Sequence, residues 1–293
     1  MKYLTLLWVL SIGFLNAQEN TGLLSEAEQL NLARSKDFPR VAQREDVAKF
    51  DPVLLRSAAG KGDAQAQFYL GKIAYFNRKY KVAIGWYEKS AIQKHAPSMI
   101  NLAAICEHGL GNDGKPDYKL AKSLYHSAST LGHPSAWYNL ACMYRDGKGG
   151  AKDDMKAFTL YSVASALGHA DATSELGIIY ELGRGVKVNH NMAASFYQKA
   201  IENGSVIAIS NLGACYVQGL GVAKDELKAV AHFRESVEKN CPHGTRMLGL
   251  CYEQGVGVES NIAKAILYYE KAASLNDERA KENLKRLKQA GNN

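Results

Sequence analysis

The chain repeats itself about every 36 residues, and that period limits what it can fold into more than any other feature. A Leu-Gly or Leu-Ala dipeptide stands at Leu70-Gly71, Leu102-Ala103, Leu140-Ala141, Leu176-Gly177, Leu212-Gly213 and Leu248-Gly249, in steps of 32, 38, 36, 36 and 36 residues. Four residues after the leucine comes Tyr144, Tyr180, Tyr216 or Tyr252, with Cys106 in the second unit. Seven residues after it a Gly-x-Gly begins, at Gly109, Gly147, Gly183, Gly219 and Gly255. An alanine column then runs through Ala83, Ala121, Ala157, Ala193, Ala229 and Ala265. Behind it come the pairs Trp86-Tyr87, Leu124-Tyr125, Leu160-Tyr161, Phe196-Tyr197, His232-Phe233 and Tyr268-Tyr269. Small residues close the pattern at Ser90, Ala128, Ala164, Ala200, Ser236 and Ala272.

Each unit reads as two helices. The leucine and the residues one and four places on share a helical face. The small residue beside the leucine lets a partner helix approach. The Gly-x-Gly supplies the positive φ that ends the first helix and turns the chain. The second helix carries alanine, the aromatic pair and the small residue as one ridge. Gly132, Gly168, Gly204, Asn240 and Asn276 then cap it. A helix pair of this size cannot bury its own apolar face, so the units must stack. The expected fold is all-α: a right-handed superhelical solenoid of about six helix pairs with a capping helix at each end. Its units are placed at about 63–95, 96–133, 134–169, 170–205, 206–241 and 242–277. Residues 51–60 read as a lone second helix, so the solenoid spans 51–277. Residues 278–293 read as a C-terminal capping helix and tail, with Leu284 and Leu287 turned inward.

The pattern is shown best by Ala172, Leu176-Gly177, Tyr180, Gly183, Gly185-Val186, Ala193, Phe196-Tyr197 and Lys199-Ala200. It resembles the Sel-like repeat (SLR) family, relatives of tetratricopeptide repeats, over about residues 51–290. The resemblance implies an α-solenoid that binds other proteins and carries no catalysis. It also implies a bacterial envelope or host-interaction role, or an adaptor role in a secretory pathway.

The N-terminus reads as an export signal. Lys2 precedes an apolar run from Tyr3 to Leu15, and Ala17 offers a small residue for cleavage before Gln18-Glu19-Asn20. Residues 1–17 are expected to be removed and the protein to be periplasmic or secreted. The run is shorter than the roughly 20 residues that cross a bilayer, and no later segment reaches that length without charges. No stable membrane span is therefore expected after cleavage. Residues 18–50 read as a helical leader over the first repeat or as a loosely ordered one.

Composition narrows the partner. The formal charge of +7 is not gathered into a run, which argues against a nucleic-acid footprint. Five cysteines are odd in number and too few for a disulfide scaffold. Cys215 and Cys251 share a column, where neighbouring helices lie about 8–10 Å apart, beyond disulfide reach. The thiols read as small buried hydrophobes. Gly109-x-Gly111-x-x-Gly114 matches a dinucleotide fingerprint but sits at a helix-helix turn, so no cofactor is expected. Cys241-x-His243 is half a metal site at most, and no metal is expected.

Two readings of function remain beside a protein scaffold. Ser236-Val237-Glu238-Lys239 matches the Ser-x-x-Lys of β-lactam-interacting enzymes, and cysteine-rich relatives of the family are reported to have that activity. Against it, Ser236 stands in the small-residue column. A secreted host-interaction factor is the other. The feature that joins fold to function is the residue before each leucine: Asn101, Asn139, Glu175 and Asn211. An asparagine just off the packing face of the first helix can offer a donor and an acceptor to an extended peptide backbone in the concave groove. It can also serve only to join helices. The expected partner is a protein or peptide.

Overall fold

The computed structural model describes residues 52–290. The expected signal peptide and leader, and the last three residues of the tail, lie outside them. Among the described residues every regular element is a helix. They fall into two compact units, divided in sequence between Asp153 and Asp154.

The first unit holds α1 (Pro52–Gly60), α2 (Ala64–Phe76), α3 (Tyr80–Ile92), α4 (Ala96–Glu107), α5 (Tyr118–Thr130) and α6 (Pro134–Asp146). Within it α2 packs on α3 and α4 on α5, and each pair leans on the next helix in the chain. The second unit holds α7 (Asp154–Ala166), α8 (Ala170–Leu182), α9 (His190–Glu202), α10 (Val206–Gln218), α11 (Glu226–Glu238), α12 (Pro242–Gln254), α13 (Ile262–Ser274) and α14 (Glu278–Ala290). Here α8 pairs with α9, α10 with α11 and α12 with α13. The first helices of successive pairs, α8, α10 and α12, also touch one another. On α14, Leu284 and Leu287 pack inward on the last pair, so this helix closes the apolar core.

The repeat columns become contacts. Gly71, Gly177, Gly213 and Gly249 lie flat under the rings of Tyr87, Tyr197, Phe233 and Tyr269; a Cβ on Gly177 would stand 2.5 Å from the Tyr197 ring. Tyr87, Tyr197, Phe233 and Tyr269 are each fully buried, which stabilises each pair by about 1.5–3 kcal/mol. The other member of the aromatic pair stacks on the tyrosine of the first helix. Tyr180 lies on Phe196 at 5.5 Å, Tyr216 on His232 at 5.6 Å and Tyr252 on Tyr268 at 5.5 Å between ring centres.

Helix pairs meet at a second column, where two small residues eight apart face each other across the turn. These are Ser90 and Ser98, Ala128 and Ala136, Ala164 and Ala172, Ala200 and Ala208, Ser236 and Gly244, Ala272 and Ala280, all buried. Where serine replaces alanine the opposite residue adjusts. Ser98 donates to Ser90 at 2.7 Å, and Gly244 gives up its Cβ to make room for Ser236.

The turns follow from the glycines. Gly183 takes φ 69° and caps α8, and Gly147, Gly219 and Gly255 do the same for α6, α10 and α12. The second glycine of the motif answers to packing. A Cβ on Gly221 would strike the carbonyl of His190, the first residue of α9, and one on Gly257 would strike that of Glu226, the first residue of α11. The second helices open on side-chain caps. Asn189, Asp225 and Asn261, spaced 36 apart, accept from the backbone N–H of Met192, Lys228 and Lys264, each cap contributing about 1 kcal/mol.

Candidate functional site

The polar machinery of the repeat is a tyrosine-glutamate latch. Fully buried tyrosine hydroxyls need partners, and the first helix supplies one five residues after its leucine. Tyr125 donates to Glu107 at 3.1 Å, Tyr197 to Glu181 at 2.5 Å and Tyr269 to Glu253 at 2.7 Å. Burial, and then the carboxylate, push all three phenols above their usual range. The fifth repeat lacks both halves, with Val217 at the glutamate position and Phe233 at the tyrosine position, whereas the third keeps a buried Tyr161 and has Arg145 at the glutamate position. In the first repeat Tyr75 takes the glutamate's place, and Tyr87 instead accepts from Asn101 Nδ2 at 3.2 Å.

Two of the three glutamates carry a second bond. Lys148 Nζ stands 2.8 Å from Glu107 Oε1. Arg286 of α14 stands 2.7 Å from Glu253 Oε1 and holds that carboxyl below the usual range. These carboxylates thus join a buried phenol to a cation from the element that follows. Sequence reading passed over the whole column, although Glu107, Glu181 and Glu253 share one place in the repeat.

The residues expected to meet a partner are placed differently from one another. Asn101 is buried, and its amide nitrogen is bonded to Tyr87; the joining role weighed for such asparagines is the one this position fills. Asn139 on α6 is half-buried, as is Glu175 on α8. Asn211 on α10 is half-buried with its Nδ2 out of water, and that nitrogen has no hydrogen-bond partner within the protein. Asn101 and Asn139 belong to the first unit, Glu175 and Asn211 to the second.

The other chemical candidates resolve into packing. Ser236 is fully buried against Gly244, and Lys239 lies 3.9 Å from Glu235. The serine hydroxyl therefore has no surface to offer a substrate. The glycines of 109–114 form the α4–α5 turn, with Gly111 set against Tyr80 and Ile84. His169 and His95 cap α8 and α4, accepting from Ala172 and Ser98 N–H at 3.2 and 3.3 Å. His243 Nδ1 bonds Ser210 Oγ at 2.8 Å, and burial lowers its pKa to about 4. Cys215, Cys241 and Cys251 are buried thiols, and burial pushes Cys215 up to about 12. Among the described residues no three His, Cys, Asp or Glu side chains gather as a metal site, and no helix is long and apolar enough to cross a membrane.

Paired helices that recur in register, with a small residue under an aromatic ring in each, define a helix-pair repeat protein. The family described as Sel1 repeat matches at residues 64–95, 96–133, 134–169, 170–205, 206–241 and 242–277. The chain belongs to the Sel1 repeat family. A solved structure of a protective antigen with an SLR fold from uropathogenic Escherichia coli is similar at 27% identity and TM-score 0.64, over 83% of this chain and 52% of the antigen. The chain thus spans about half the length of that protein. A Sel1 repeat protein from Oxalobacter formigenes is similar at 28% identity and TM-score 0.63, over 72% of this chain and 85% of the other. A Pseudomonas aeruginosa protein, at 21% identity and TM-score 0.53 over 72% of this chain and 81% of its own, shares the fold. A comparison with curated proteins returns no match. Sel1 repeats generally serve as scaffolds for protein interaction.

Proposed function

We propose that this chain is a non-catalytic scaffold that binds an extended segment of a partner protein along the first helices of its repeats. In the second unit Glu175 and Asn211 would be the contact positions; in the first, taken by itself, Asn139 would be one, with Asn101 contributing least because Tyr87 already holds it. The observation that carries this reading is Asn211. A buried amide N–H without an acceptor costs about 1–3 kcal/mol, and such groups call for an explanation. A modest rotation of the side chain would bring that N–H to a partner's backbone carbonyl, with Oδ1 free to accept in return. Glu175 sets a preference for a basic partner residue. The N-terminal apolar run supports export, so the partner is to be sought in the envelope or outside the cell.

The test is in-cell crosslinking followed by pull-down with the full chain, wild type against Glu175→Lys. One protein captured by the wild type and lost with the charge reversal, in the exported fraction, would support the reading. Equal capture by both would contradict it.

A further inference from the structure

The latch glutamates divide into two that are closed and one that is open. Glu107 holds Lys148, and Glu253 holds Arg286. Glu181 accepts from Tyr197 through Oε2, and no described group pairs with its Oε1. That oxygen is not shut off from water.

The reason lies in the sequence. Lys148 stands eight residues after its repeat leucine, Leu140, and the same place after Leu212 is Leu220. The backbone at the two places is alike: Lys148 N–H bonds Met143 O at 2.9 Å, and Leu220 N–H bonds Cys215 O at 3.1 Å. A cation at position 220 would start from the place where Lys148 starts. The chain puts an aliphatic residue there, and the neighbouring Cys215 thiol is raised by burial first and then by the Glu181 carboxylate. Helix α8 carries Asp171, Glu175 and Glu181 and no basic residue, and α10 carries no charged residue.

We propose that Glu181 is a docking site for a lysine or arginine side chain of the bound partner, which supplies in trans the cation that Lys148 and Arg286 supply in cis. The aliphatic stem of such a residue suits the apolar surface of Leu220, while its charged head takes Oε1. This inference rests on the scaffold reading and specifies one residue of the partner's chemistry.

The probe is a displayed library of random linear peptides, selected on the full-length chain and on three variants. Wild type is expected to enrich peptides with a lysine or arginine at one aligned position. Glu181→Gln keeps an acceptor for Tyr197, yet should lose that enrichment and bind a selected wild-type peptide about tenfold more weakly. Leu220→Lys should do the same by closing the latch in cis, with an unchanged or higher melting temperature. Leu220→Met should behave as wild type. Basic enrichment that survives both Glu181→Gln and Leu220→Lys overturns the proposal. Peptides enriched without a basic position overturn it too, but leave the scaffold reading standing. No peptide above background in any selection overturns both.

Discussion

Tyr197 donates to Glu181 at 2.5 Å, and one repeat later the two positions are apolar together, as Phe233 and Val217. A phenol buried at this crossing without a partner forfeits its hydrogen bond. Phe233→Tyr should therefore lower stability by about 1–3 kcal/mol, because Val217 offers no acceptor. Val217→Glu combined with Phe233→Tyr should recover most of the loss. Urea denaturation of the two variants checks this, and equal midpoints would break the rule.

The glycines under the rings should not tolerate a methyl group. Gly177→Ala places a Cβ 2.5 Å from a Tyr197 ring carbon, and overpacking of this kind costs about 1–3 kcal/mol. Gly85 on α3 has nothing within 4 Å of its would-be Cβ. Gly85→Ala should raise stability by up to about 1 kcal/mol through helix propensity. Opposite shifts in melting temperature are the expected outcome.

The crossing between Ser236 and Gly244 should be repairable. Gly244→Ala alone would drive a Cβ into Ser236 and destabilise the fold. The atom it meets first is the Ser236 Cβ, which alanine would keep, so relief needs Ser236→Gly, which moves the one Cβ of the crossing to the other helix. The double variant should melt well above Gly244→Ala alone, as circular dichroism can measure.

This column was legible in the sequence, as were the helix pairs and the Gly-x-Gly turns, because each is set by size or φ at a fixed place in a period. The latch was not legible. Its halves, such as Glu253 and Tyr269, lie 16 residues apart on different helices, and only the folded pair shows that one satisfies the other. The asparagine row was only partly legible. All four positions precede a leucine, yet Asn101 is buried because Tyr87 lacks a glutamate and draws the amide inward. Sequence position gives the side of a helix, whereas burial there depends on which neighbour needs a hydrogen bond.

Acid should destabilise the protein through two histidines. His95 and His243 are lowered from 6.5 to about 4, chiefly by burial. The unfolded chain therefore takes up these protons first. The stability each contributes is complete above about pH 6.5 and is lost as the pH falls toward 4, by at most roughly 3 kcal/mol per histidine. Melting temperatures at pH 7 and pH 4.5 should differ, and His243→Gln should narrow the difference. An unchanged difference would show that His243 charges freely in the fold.

The central claim is that the asparagines of the first helices serve a partner. The direct measurement is the affinity of the pulled-down partner for Asn139→Ala/Asn211→Ala, read beside its thermal melt. Asn211 gives up an N–H that has no acceptor in the fold, and Asn139 is only half-buried, so the melt should stay near that of wild type. The lost backbone bonds, about 0.5–1.5 kcal/mol each, should weaken binding by roughly tenfold. Asn101→Ala is the control: it strips Tyr87 of its donor and should lower the melt. Wild-type affinity in the double variant, with a melt several degrees lower, would make these asparagines structural and contradict the account.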